Sequence, residues 1–305
     1  MTKESSTNVA ASVKQRLLNR ARTQKEDFNL LLTKYALERV LYRISQSPHK
    51  DAFVLKGALL FELWTDQTHR PTRDADFLSQ GDSSLERFLG IFKEICSMNV
   101  HDDGLRFDPA SVKVDRIKED QDYEGMRVTF PGYLEASRLP VQIDIGFGDA
   151  ITPAPIQTSF PTLLENPAPV LLAYPRETVI AEKFEALVKL GMANTRMKDF
   201  HDLRTLSVLF SFAGPALSEA IQRTFERRKT ALPLEALPTA LTPEFYDDDT
   251  KQKQWNAFVS KNKLYIEPIT LQEVTTSIRD FVLPVLRPRD SLVLQWQPGG
   301  PWMSA

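Results

Sequence analysis

Apolar positions recur at helical spacing towards both ends of this chain and alternate with polar ones in its middle. From about Val13 to Ser45 the pattern is helical, with Leu37, Val40, Leu41 and Ile44 at i, i+3, i+4 and i+7. Ser47-Pro48 ends that helix, because proline disfavours helical backbone at the residue before it. Phe53 to Leu55 reads as a first strand that stops at Gly57, and a helix is expected from Gly57 to Trp64. A second strand is expected over about 74–78. Ser83 to Met98 returns to helix, with Ser83 or Ser84 as cap and Leu85, Phe88, Leu89, Phe92 and Ile95 as its apolar stripe.

Residues 105–147 then change period. Arg106–Phe107, Val112–Val114, Met126–Phe130 and Val141–Phe147 read as short strands separated by turn residues. Prolines at 153, 155, 161, 167, 169 and 175 mark residues 152–175 as a connection between domains. Beyond it the chain reads as wholly helical, over about 178–191, 195–212, 215–229, 250–261 and 270–286. Residues 1–8 are expected to fray. The expectation is an α+β fold. Its N-terminal domain, residues 1–155, has a helical lead-in (9–46) and a core (50–150) with a small mixed or antiparallel sheet flanked by helices. An all-helical domain over 156–290 and an irregular tail over 291–305 follow.

Composition removes several classes of function. At 42% hydrophobic and 26% charged, the chain is an ordinary globular one. A formal net charge of -2 gives no general basic field, so contact with nucleic acid would need local clusters such as Lys14–Lys25 or Arg223, Arg227, Arg228 and Lys229. A single cysteine, Cys96, excludes an intramolecular disulfide framework and fits a reducing cytosol. No signal peptide and no membrane-spanning apolar run are read, so the expected location is cytoplasmic, with no membrane partner. Phosphate-loop, dinucleotide-fingerprint, serine-elbow and kinase motifs are absent, and the four histidines stand singly.

Two stretches carry chemistry in the N-terminal half. Side chains two apart on a strand share a face, so Asp74 and Asp76 stand together. Paired carboxylates repel unless a cation lies between them, and an oxygen-only site suits Mg²⁺ or Mn²⁺ with a phosphate substrate. Along Val141–Phe147 the apolar residues take one face and Gln142 and Asp144 the other. Asp144 therefore becomes a third metal ligand if its strand lies beside that of Asp74 and Asp76. Backbone N–H groups of Gly57 and Ala58, opening a helix, would hold phosphate oxygens. Thr72 would add a hydroxyl, with Lys56 and Arg70 as further phosphate contacts. Two helical motifs follow, Ala181-Glu182-Lys183 and Lys198-Asp199-Phe200-His201-Asp202. On spacing alone Lys183 reads as a surface lysine, and Asp199 also as an acid offsetting a helix dipole in the first turn.

The order of these motifs resembles that of the AbiEii/AbiGii toxin family, nucleotidyltransferases of the polymerase β superfamily. The likeness is carried by Lys56-Gly57-Ala58-Leu59-Leu60, Arg70-x-Thr72-x-Asp74-x-Asp76, Ala181-Glu182-Lys183 and Lys198-Asp199-x-x-Asp202-Leu203. It extends to Arg228–Pro233, Leu241–Phe245 and Gln254-Trp255-x-x-Phe258, covering about residues 30–285. The chain departs from the superfamily at Ala58, where Gly or Ser is usual. The resemblance implies an enzyme of a toxin–antitoxin or abortive-infection system that moves a nucleotide from an NTP to RNA, the tRNA 3′ end foremost. It implies a divalent metal, a cognate antitoxin, catalytic roles for Asp74, Asp76, Lys183 and Asp199, and Lys183 paired with the triphosphate. Asp202 is the substitute for Asp199. Nucleotidylation of a protein hydroxyl, and a catalytically silent binding module, are the alternatives.

Overall fold

A computed structural model of the chain describes residues 8–65, 69–120, 123–263, 265–287 and 293–304. The expected fraying of the N-terminus concerns residues that, apart from Asn8, lie outside these. The chain divides into two compact units, Met1–Gly148 with Ile156–Ala173, and Asp149–Pro155 with Tyr174–Ala305.

In the first unit the expected single lead-in helix is two, α1 (Val9–Gln24) and α2 (Phe28–Gln46). Lys25 turns left-handed after α1, and the Asp27 carboxylate caps α2 by accepting from Leu30 N–H at 2.7 Å. There follow β1 (Phe53–Lys56), the short α3 (Leu60–Trp64), β2 (Ala75–Ser79), α4 (Leu85–Ser97) and β3 (Leu105–Phe107). Next come β4 (Lys113–Asp120), β5 (Tyr123–Leu134) and β6 (Ser137–Phe147). β7 (Ile156–Ser159) and β8 (Val170–Ala173) complete the unit. The sheet runs β3-β5-β6-β2-β1-β8-β7, with β4 also paired to β5. It is mixed: β1 with β8 and β2 with β6 are parallel, and the other pairs antiparallel. The proline-rich segment is thus not purely a connection, since residues 156–173 add two strands to this sheet.

β1 lies inside the sheet and is buried along its whole length, which its unbroken Phe-Val-Leu run reflects. Phe53 and Phe77 point to one face, where Phe53 meets Phe77 and also Phe88 and Phe92 of α4, with ring centroids 5.6–6.2 Å apart. Strand alternation then sends Lys56 and Asp76 to the opposite face. Packing of the α4 stripe therefore decides where the acids point.

The second unit contains α5 (Arg176–Leu190), α6 (Met197–Leu209), β9 (Phe212–Ala213) and α7 (Gly214–Arg228). It continues with α8 (Pro243–Tyr246), α9 (Asp249–Lys261), α10 (Leu271–Val282), β10 (Leu294–Trp296) and β11 (Trp302–Ser304). The helical expectation holds over most of this unit, broken by the two-residue β9, whereas the tail is not irregular. β10 pairs with both β11 and β9. Trp302 stacks on Phe281 at 5.9 Å, and the indole N–H of Trp296 donates to the Ser207 carbonyl at 2.6 Å. The two tryptophans supply the burial that an otherwise polar tail lacks. No described helix is long and apolar enough to cross a membrane.

Candidate active site

Four charged residues stand in register across four neighbouring strands. Lys56 of β1 faces Asp76 of β2, Asp76 faces Asp144 of β6, and Asp144 faces Arg127 of β5. Partners across a sheet have side chains about 5 Å apart on the same face. The row therefore reads plus, minus, minus, plus, with the acids side by side at its centre. Asp74, just before β2, joins them: ligand oxygens of Asp74, Asp76 and Asp144 lie within 4.8 Å of one another. The donors are carboxylates alone, without thiol or imidazole, which fits Mg²⁺ or Mn²⁺ rather than zinc.

The neighbours fix these acids. The Thr72 hydroxyl donates to Asp74 Oδ1 at 2.6 Å, so this buried threonine orients a carboxylate. Arg127 grips Asp144 with both ends of its fork, Nε to Oδ1 at 2.8 Å and Nη2 to Oδ2 at 2.7 Å. That hydrogen bonding foremost raises the Arg127 pKa; burial opposes it, and the charges of Asp144, Asp74 and Asp76 add to the rise.

Gly57 stands against one of these acids. Its φ is +76°, in the left-handed region, and a side chain there would overlap Asp76 Oδ2. Residues 57–59 form a turn, and helix begins only at Leu60. Leu60, Phe61 and Glu62 N–H donate to the Gly57, Ala58 and Leu59 carbonyls at 3.1–3.3 Å, so this turn leads directly into α3. Ala58 and Lys56 are buried beside this turn, and Arg70 is half-buried.

A second cluster lies in the helical unit. Lys183 of α5 reaches two acids of α6, Asp199 Oδ1 at 2.7 Å and Asp202 Oδ2 at 2.9 Å. Both aspartates are completely buried, and Lys183 is 12% exposed. Arg196 adds a contact to Asp199 Oδ2 at 2.7 Å. Burial alone would raise the Asp199 pKa, but the Lys183 and Arg196 charges outweigh it and hold the group below the usual carboxylate value. The choice between Asp199 and Asp202 dissolves, since one turn of helix presents both to the same ammonium.

The family model for the AbiEii nucleotidyl transferase toxin, type IV toxin–antitoxin system, matches residues 39–278. The chain belongs to this family. It is accordingly a nucleotidyltransferase, as its motif order implied. Two Helicobacter pylori structures are similar to the AbiEii chain. One is assigned to the nucleotidyltransferases, at 15% identity, TM-score 0.47, 84% of this chain and 94% of that one. The other is JHP933, at 16% identity, TM-score 0.47, and 84% and 91% coverage. No curated protein matches the chain.

One member of a basic cluster of this AbiEii chain, Arg228, is not the surface base the sequence suggested. Arg228 is mostly buried and bonds Asp149 at 3.0 Å, Glu185 at 2.9 Å and Glu182 at 3.5 Å. Burial works to lower its pKa, and the surrounding acids, Glu182 and Asp149 foremost, raise it instead. It is a structural ion-pair hub. Arg223, Arg227 and Lys229 are exposed, as are Arg16, Arg22 and Lys25 on and just beyond α1. The sequence reading also missed Arg127 and Arg196. Each had a signal: Arg127 sits between the buried Met126 and Val128, hence on the acid face, and Arg196 lies three residues before Asp199.

Proposed function

We propose that this AbiEii-family enzyme transfers a nucleotide from an NTP to the 3′ end of an RNA, with tRNA as the acceptor class, inside the cytoplasm and under control of a cognate antitoxin. The observation that carries the reading is the in-register pair Asp76 and Asp144, with Asp74 beside them, on one face of the sheet. Clustered like charges destabilise a fold unless they are kept for a cation. A binding module has no use for them, and family membership points the same way.

In this reading the RNA hydroxyl oxygen attacks the α-phosphorus. The new P–O bond forms as the bond to the β-phosphate oxygen breaks, pyrophosphate leaves, and the hydroxyl proton passes to solvent. Asp74 and Asp76 would hold Mg²⁺ or Mn²⁺, and Asp144 would serve a second ion. Bound there, the metal neutralises phosphate charge and activates the hydroxyl. Thr72 keeps Asp74 in place, and Gly57 leaves room for Asp76. Lys56 and Arg70 would contact phosphates. The family resemblance supports Lys183 as the lysine of the triphosphate, with Asp199 and Asp202 orienting it. The exposed bases Arg16, Arg22 and Lys25 would bind the RNA backbone, which makes activity fall steeply with salt.

The test is incubation of purified protein with labelled NTPs, Mg²⁺, total RNA and a protein extract. Label at tRNA 3′ ends, absent with Asp76→Asn, is the expected result. Label in protein alone would favour nucleotidylation of a protein hydroxyl, and no transfer or nucleotide binding would favour a silent module.

A further inference from the structure

The charged row has one member without a part in the reaction above. Arg127 donates to both oxygens of Asp144, the carboxylate assigned to the second ion. An ion approaching Asp144 meets a guanidinium already seated there, and a carboxylate held at both oxygens has little left to offer. The two partners differ in freedom: the Arg127 side chain is 41% exposed and that of Asp144 10%. The guanidinium can swing out to water while the carboxylate stays behind. Nor is the pair needed to join its strands, because β5 and β6 are registered from Met126↔Ile145 to Leu134↔Ser137. A half-exposed ion pair adds little to such a ladder.

We infer that Arg127 is a positioning residue that keeps Asp144 closed to metal in the resting enzyme. One divalent ion is held at Asp74 and Asp76, and a second is admitted at Asp144 only after Arg127 lets go. A triphosphate has the chemistry to release it, since a guanidinium fork pairs with phosphate oxygens as it does with carboxylate. This inference rests on the metal-assisted reading of the site.

Manganese(II) alone, titrated into the full-length chain and followed by electron paramagnetic resonance, reads both the number of ions and their coupling. Ions retained by Asp76→Asn are subtracted as surface binding. Wild-type protein is expected to take one uncoupled ion. Arg127→Gln is expected to take two as a spin-coupled pair, the second bound about tenfold more tightly than in wild type. Arg127→Lys, which keeps the charge and loses the fork, should fall between them. Adding Asp144→Asn to Arg127→Gln should remove the second ion again. A coupled pair in nucleotide-free wild type overturns the inference, and so does Arg127→Gln protein that takes a single ion. Absence of manganese binding in wild type and variant alike instead brings down the metal reading itself, and the gate with it.

Discussion

Gly57 and Asp76 meet across β1 and β2, where the left-handed turn at residue 57 leaves the Asp76 carboxylate the space that any side chain would fill. The glycine makes room for an acid.

Gly57→Ala should therefore damage the site in two ways. The left-handed conformation costs an alanine about 1–2 kcal/mol, visible as a lower melting temperature. The added methyl also pushes Asp76 aside, and a displacement near 1 Å is enough to lower transfer roughly a hundredfold. Thermal melts and transfer rates measured together check both, and a variant that melts lower at wild-type rate would remove Asp76 from the explanation.

Asp74→Asn and Asp76→Asn should abolish transfer while the circular dichroism spectrum stays as in wild type. Removing one of several neighbouring like charges should leave the metal-free melting temperature unchanged or higher. Mg²⁺ should then no longer raise it. Transfer retained by either folded variant would contradict the assignment.

Strand alternation made much of this geometry legible in the sequence. Asp74, Asp76 and Asp144 were each readable as facing away from an apolar side. What alternation could not supply was which strands are neighbours, because the parallel β2–β6 pairing joins segments far apart in the chain. Arg127 was closer to hand. From Leu134↔Ser137 at the Glu135-Ala136 turn, seven residues back along one strand and seven forward along the other give Arg127↔Asp144. Gly57 was readable as a turn after a strand, but nothing local reveals a carboxylate arriving from β2. The strands of the tail escaped notice because tryptophan burial, rather than periodicity, holds them.

Lys183→Met should cost about 3–5 kcal/mol in urea unfolding at neutral pH, since it leaves Asp199 and Asp202 buried without their shared ammonium. The pH dependence carries a sign as well. Asp199 has a lowered pKa in the folded chain, so its contribution is fully present above the unfolded value of about 3.9 and is lost as pH falls through the folded value. Wild-type stability from this group should hold down to about pH 4 and decline below it. In Lys183→Met the decline should begin at higher pH, and coincident acid limbs would show that Lys183 does not set this pKa.

Arg228→Glu should unfold or severely destabilise the protein, because it places a fourth acid among Asp149, Glu182 and Glu185. Arg16→Glu combined with Arg22→Glu, both on an exposed helix face, should leave stability within about 0.5 kcal/mol. The same pair should weaken RNA binding across sequences and flatten its salt dependence. Equal RNA affinity at low and high salt in wild type would exclude that face as the RNA surface.

The proposed transfer of a nucleotide to RNA rests on the Asp74, Asp76 and Asp144 face. Its most direct measurement is incorporation of labelled nucleotide into total tRNA by purified wild-type protein and by Asp76→Asn, each with Mg²⁺ and then with chelator. Label is expected at tRNA 3′ ends for wild type with Mg²⁺ and in none of the other three reactions. Label from folded Asp76→Asn, or from wild type in chelator, would contradict it.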